Sequence, residues 1–424
     1  MMSALFALAL AQAASAQACI GGLCDAERLR PFLEKLASAK EAPEPVRILQ
    51  IGDSHTAGDQ ITGSWRTALQ TRFGRAGRGV LPPGRPYAGY LTRDITAGQS
   101  IGWSVNGIFG AAYSANSNIR LGLSGYSLTS EQPGATVTLS ADNGRNFDRL
   151  TVCALSGPGQ GSLQLSLGAA VVAWSLDGAQ AGSRCRTLDG NGEATIASAT
   201  VIGGPVTITS WSTERRMGGG VILSNLGTVG AQFLHFGRTD DRVVATELAA
   251  YRPDLIVVAY GTNEAFRPGF SASAYEATLR ADLTRLRRLA PDVPMLLIGA
   301  PDSATKQPGL QSGESGTSAP CADGGGWRPT AALASVQAVQ RRQARAFGIA
   351  YWDWAQRMGG RCVADGWTQG ATPLMRGDHV HFTSRGGAEI ARLLQADLDA
   401  AMTRIVGAAP SSGWSTTAPS APVR

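Results

Sequence analysis

A serine, an amide and an acid–histidine pair stand where strands give way to helices, and together they could do acyl-transfer chemistry. Ser54 lies in Gly52-Asp53-Ser54-His55, directly after the apolar run 46–51. Asn263 lies in Gly261-Thr262-Asn263-Glu264, after the apolar run 255–260. Asp378 and His381 belong to Asp378-His379-Val380-His381, just ahead of the last helical pattern. Serine attack on an ester needs a base to take the hydroxyl proton and a carboxylate to orient that base. Asp378 and His381 are three residues apart, close enough for one turn to pair them. His379 competes as the base, but Asp378 is its chain neighbour and faces another way. Taken alone, Ser54 would also suit a helix N-cap. The combination is what points to chemistry.

Positioning such residues is the work of the elements around them. Strand patterns at 46–51, 255–260, 295–299 and 349–354 alternate with helical patterns at 60–73, 271–290, 331–347 and 385–402. Ile61, Trp65, Leu69 and Phe73 recur at helical spacing in the first of those helices. This alternation predicts an α/β fold with a doubly wound, mainly parallel sheet, whose ligands bind beyond the carboxyl ends of the strands. Ser54 and Asn263 fall at such ends. Residues 78–216 have another texture, with short alternating runs at 135–139, 163–167 and 206–209 and turn signals at Asp142-Asn143-Gly144 and Asp189-Gly190-Asn191-Gly192. They predict an all-β, sandwich-like module inserted into a discontinuous α/β domain of residues 19–77 and 217–403.

The motifs resemble those of a known family. Gly-Asp-Ser at 52–54, Gly-x-Asn at 261–263 and Asp-x-x-His at 378–381 look like three of the four blocks of SGNH/GDSL hydrolases, with Gly230 as the fourth. Gly-Asp-Ser-His-Thr-Ala-Gly-Asp at 52–59, Gly-Thr-Asn-Glu at 261–264 and Asp-His-Val-His-Phe-Thr at 378–383 are similar to bacterial peptidoglycan O-acetylesterases. In those enzymes a carbohydrate-binding-like β module separates the first two blocks. The resemblance implies Ser54 as nucleophile, His381 as base and Asp378 as orienting carboxylate. It also implies an oxyanion hole from the Ser54 N–H, the Gly230 N–H and the Asn263 amide. His55 in place of the Leu of G-D-S-L, and Glu264 in place of the Asp of G-x-N-D, match the acetylesterase branch.

The implied reaction is removal of O-acetyl groups from a cell-wall polysaccharide, peptidoglycan first, through an acetyl-enzyme on Ser54. It needs no metal and no other cofactor. The same triad would serve a polysaccharide O-acetyltransferase, or an esterase of other acetylated glycans or lipids. A carbohydrate-binding protein with a relic site is the non-catalytic alternative. His379-x-His381 with Asp378 or Asp365 gives too few ligands for a catalytic zinc, since His55 and His235 are the other histidines. Gly157-x-Gly159-x-Gly161 lacks the strand-to-helix context of a dinucleotide site. Trp103, Tyr113, Tyr126, Trp174 and Trp211 are candidates to stack on sugar rings or to fill the module's core. A module that only holds the polymer would leave small esters unaffected. The segment 303–327 reads as a tethered lid or a surface loop.

Composition sets the remaining bounds. Hydrophobic residues make up 43% and charged residues 17% of 424, which excludes a disordered chain. The excess of 38 basic over 32 acidic residues is spread along the chain, and scattered Arg is no nucleic-acid footprint. No run is long enough to span a membrane. Residues 1–18 combine an apolar stretch with small-x-small patterns, the form of a signal peptide. Six cysteines without C-x-x-C spacing suit disulfides, paired with nearest neighbours as 19–24, 153–185 and 321–362. A periplasmic or secreted location follows. The tail, 404–424, reads as disordered.

Overall fold

The computed structural model describes residues 19–216, 218–314, 316–321 and 325–407. The expected signal segment, 1–18, and residues 408–424 of the expected tail lie outside them. The last helix, Ser384–Val406, takes residues 404–406 out of that tail, and Gly407 caps it in the left-handed conformation.

Five parallel strands form the centre of the main sheet. Their order across it is Ala350–Trp352, Met295–Ile298, Leu255–Ala259, Val46–Gly52, Val221–Gly227. Of these five, the first in the chain therefore lies between the second and the third, and the order reverses beside it. Ligands bind at such reversals in open α/β sheets. Leu23–Cys24 pairs antiparallel with Ala350–Trp352, and Cys19–Ile20 folds back on Leu23–Cys24.

The strands are buried on both faces, and alternate side chains serve two cores. Val46 and Ile48 join the core under Arg30–Ala37, Ile61–Phe73 and Ser384–Val406. Leu49 and Ile51 join the one under Asp241–Tyr251, Ala272–Leu289 and Leu333–Ala346. Each large apolar side chain so buried contributes roughly 1.5–3 kcal/mol. The expected helices appear with their ends moved by a few residues, and the sheet is doubly wound.

Between Ile61–Phe73 and Val221–Gly227 the chain builds two antiparallel sheets. One has the order Ala170–Ser175, Ser162–Leu167, Ile196–Gly203, Thr136–Ala141, Ile95–Gln99. The other runs Gly182–Ala194, Phe147–Ser156, Val206–Glu214, Tyr126–Ser130, Ser104–Gly107, with Gly77–Leu81 also on Val206–Glu214. A third core draws Leu139, Leu165 and Ala197 from the first and Leu150, Val152 and Ile208 from the second. Tyr126, Trp174 and Trp211 are buried, so these three aromatics cannot present a ring to a ligand. Of the five candidates Tyr113 is exposed, and Arg238 lies over its ring at 4.0 Å.

Buried polar contacts join the antiparallel sheets to the α/β part. Asp59, in the left-handed conformation (φ 49°), accepts from Arg66, Arg78 and the Arg93 backbone, and Arg66 also pairs with Asp94 at 3.1 Å. Glu247, on Asp241–Tyr251, accepts from the Thr209 and Ser210 hydroxyls at 2.6 Å and from the Leu123 N–H at 2.5 Å. Disulfides join Cys19–Cys24, Cys153–Cys185 and Cys321–Cys362, the three nearest-neighbour pairs.

Candidate active site

The Val46–Gly52 strand ends in a turn with no room for a side chain. A Cβ on Gly52 would lie 2.2 Å from Thr56 Oγ1 and 2.6 Å from Ala259 O. The chain turns there into the short helix Ser54–Ala57, whose N-cap is Asp53: its carboxylate accepts the His55 N–H at 2.9 Å. Ser54 is the first helical residue and is not the cap. Its hydroxyl is half-buried and free to face another group.

That group is His381. Ser54 Oγ lies 3.0 Å from His381 Nε2, and His381 Nδ1 lies 2.8 Å from Asp378 Oδ2. Against a carboxylate Nδ1 carries the proton, which leaves Nε2 able to accept from the serine hydroxyl. The other carboxylate oxygen, Oδ1, accepts the backbone N–H of Val380 and of His381, each at 2.9 Å. Burial works against the charge on Asp378, but those two N–H groups and the imidazole outweigh it and hold its pKa below the ordinary value. The side chains of His381 and Asp378 are 40% and 46% exposed, so the pair opens to solvent.

His379 faces elsewhere. It is buried in a left-handed backbone position, with Nε2 2.9 Å from Asp365 Oδ1, Nδ1 3.1 Å from Gly377 O and the Trp327 ring stacked on it at 3.6 Å. The 303–327 segment is thereby fixed at its end, and the Ala304 N–H also bonds His379 O at 3.0 Å. Among the described residues no group of three or more His, Cys, Asp or Glu gathers as a metal site.

Gly230 and Asn263 come to the same edge. The Thr228 N–H bonds Gly52 O at 2.9 Å, and a Cβ on Gly227 would strike Ala57 N at 2.1 Å, so the 227–231 turn presses on the turn that carries Ser54. Asn263 Nδ2 donates to Ala231 O at 2.9 Å, and Gln232 Nε2 donates to Asn263 O at 3.0 Å. Among the described residues no acceptor meets the backbone N–H of Ser54 or of Gly230. Gly230 has φ +76°, and a Cβ there would lie 2.9 Å from the Phe109 ring. Phe109, which also stacks on His235 at 4.3 Å, was invisible to motif reading because its loop carries no motif.

Comparisons with known proteins were made for the whole chain. The GDSL-like lipase/acylhydrolase family matches residues 203–388, a stretch that holds Gly230, Asn263, Asp378 and His381. A solved peptidoglycan O-acetylesterase superposes with a TM-score of 0.70 at 29% identity, covering 88% of this chain and 96% of its own. The chain resembles SGNH hydrolases. This hydrolase resembles peptidoglycan O-acetylesterases, and its chemistry is ester hydrolysis. A family two carbohydrate esterase from Cellvibrio japonicus aligns over 73% of this chain and 98% of its own, at 15% identity and a TM-score of 0.26. An acetyl xylan esterase aligns over 42% of this chain and 80% of its own, at 16% and 0.30. No curated protein matches the chain.

Proposed function

We propose that this hydrolase is an exported serine esterase that removes O-acetyl groups from a cell-wall polysaccharide, peptidoglycan above all. The observation that carries the reading is the Ser54–His381–Asp378 relay, at 3.0 and 2.8 Å. Ser54 Oγ attacks the acetyl carbonyl carbon while its proton passes to His381 Nε2. Collapse of the tetrahedral intermediate expels the sugar oxygen, which takes that proton, and leaves acetyl on Ser54. Water then attacks the acetyl-enzyme, again giving a proton to Nε2, and acetate departs as Ser54 regains its proton. Asp378 holds the imidazole in the required tautomer and faces the positive charge that forms on it. The Ser54 and Gly230 N–H groups and the Asn263 amide receive the charge on the carbonyl oxygen.

Peptidoglycan is favoured by the 29% identical O-acetylesterase and by a relay open enough to meet a polymer. Residues 78–216 form the inserted, sandwich-like module of the proposal, placed to hold that polymer beside the relay. Three disulfides support export. Acetate release from O-acetylated peptidoglycan, acetylated xylan and a chromogenic acetate ester, by the protein and by Ser54→Ala, tests the reading. Release that is fastest from peptidoglycan and lost in Ser54→Ala is the expected result. Faster release from xylan would overturn the substrate, and an active Ser54→Ala would overturn the mechanism.

A further inference from the structure

His55 follows the serine in the chain, yet its ring reaches the other blocks of the site. Nε2 lies 2.9 Å from Val380 O, the carbonyl next to His381, and against a carbonyl it can only donate. Nδ1 lies 3.3 Å from Asp53 Oδ1 and 3.4 Å from Thr262 Oγ1, the residue before Asn263. The ring is buried between Trp354, Phe382 and His381, with centroids 5.4, 5.5 and 5.6 Å away. A leucine, the residue G-D-S-L places here, could fill that space but could donate to nothing.

We infer that His55 is a positioning residue that ties the Val380–His381 segment to the Ser54 turn and so sets the distance between Ser54 Oγ and His381 Nε2. The inference rests on the acyl-enzyme reading above. Two segments separated by most of the chain must meet to within one hydrogen bond for the proton to move. The relay itself is too exposed to hold that distance alone, since exposed contacts compete with water. His55 supplies a part-buried bond, from a buried ring, one residue away on each side. Burial alone would push its pKa down, but the Asp53 carboxylate outweighs it and raises the value, which favours protons on both ring nitrogens.

The test compares His55→Leu with His55→Gln, whose amide keeps a donor at the reach of Nε2. Turnover and KM on a chromogenic acetate ester are read beside melting temperature and the rate at which a phosphonate labels Ser54. For His55→Leu, kcat and labelling are expected to fall together by ~10- to 100-fold, the cost of leaving the Val380 carbonyl without its donor, with KM within about twofold. His55→Gln should recover most of that loss. If the leucine variant does not fold, His55→Asn stands in for it, because its shorter amide cannot reach Val380 O. A folded His55→Leu with unchanged kcat overturns the inference, as does a His55→Gln variant no better than the disabled one. Ser54→Ala separates the two levels: if it stays active, the acyl-enzyme reading has failed, whatever His55 does.

Discussion

Asp378 keeps its charge further into acid than a free aspartate, because two backbone N–H groups and an imidazole outweigh its partial burial. The stability this charge contributes is fully present above the ordinary value of 3.8 and is lost as pH falls through the lower folded value. Asp378 is therefore not the group that fails in mildly acidic solution. The two histidines beside it should separate cleanly in an assay. His381→Ala is expected to lose turnover by roughly three decades or more, as when a triad base is removed. His379→Ala should retain much of it and lose stability, since it gives up the Asp365 bond and the Trp327 stack. Equal loss in the two variants, at equal melting temperature, would contradict the assignment. Glu264 has the opposite balance. Burial outweighs the Phe233 N–H that Oε1 accepts and pushes its pKa up to about 7, while Oε2 has no partner among the described residues. A carboxyl raised on folding favours the native state least when ionised. The penalty is absent below 4.5, grows from there to about 7 and stays constant above, reaching up to about 3 kcal/mol. Melting temperatures across pH should show Glu264→Gln gaining on the parent protein between pH 5 and 8. A gap that does not change with pH would show that Glu264 is not ionising there.

Elements decide what a sequence shows in advance. The strands at 46–52 and 255–259 were legible as continuous apolar runs, buried on both faces, and the helix Ala272–Leu289 because its buried residues recur at helical spacing. Ser54, Asn263, Asp378 and His381 were legible because each sits in a short motif at an element's end. Val221–Gly227 was not read as a strand. Ser224 and Asn225 break its apolar run, yet both are buried: Ser224 Oγ accepts the Val80 N–H, and Asn225 Nδ2 donates to Thr56 O. Their partners come from distant segments, so no local pattern announces them. The same holds for Phe109, which lies between Ser104–Gly107 and Tyr126–Ser130 and touches Gly230. Phe109 belongs to residues 78–216, so it is the place to test the expectation that small esters do not notice them. Phe109→Ala should release the Gly230 turn and lower kcat on a small acetate ester by about tenfold, since small misplacements of a stabilising donor are costly. Unchanged turnover on that ester would show that the ring only fills space.

Across the whole molecule, the antiparallel sheets and the α/β part share buried charges rather than a solvated seam. Asp59, Arg66 and Arg78 are each at least nine-tenths buried, and Glu247 is fully so. Breaking such a group by removing one partner typically costs 3–5 kcal/mol. The two parts should therefore unfold together. Calorimetry is expected to give one transition for the oxidised protein, and Arg66→Met to lower its midpoint without splitting it. Two separate transitions in the parent protein would show that the parts hold independently.

The central strand also sets the order of events when the chain first acquires its shape. Val46 pairs with Val221, and Ile48 with Leu255, so both neighbours of the strand that leads to Ser54 arrive after all the antiparallel sheets have been synthesised. Closing a longer loop costs little extra free energy, because the cost grows only with the logarithm of length. Speed is another matter, since pairings distant in sequence slow the search for the native state. The Ser54 strand must wait, unpaired and apolar, until residues 221–259 exist. A newly made molecule is thus catalytically silent until its last third has docked, and its reactive centre is among the last features to form.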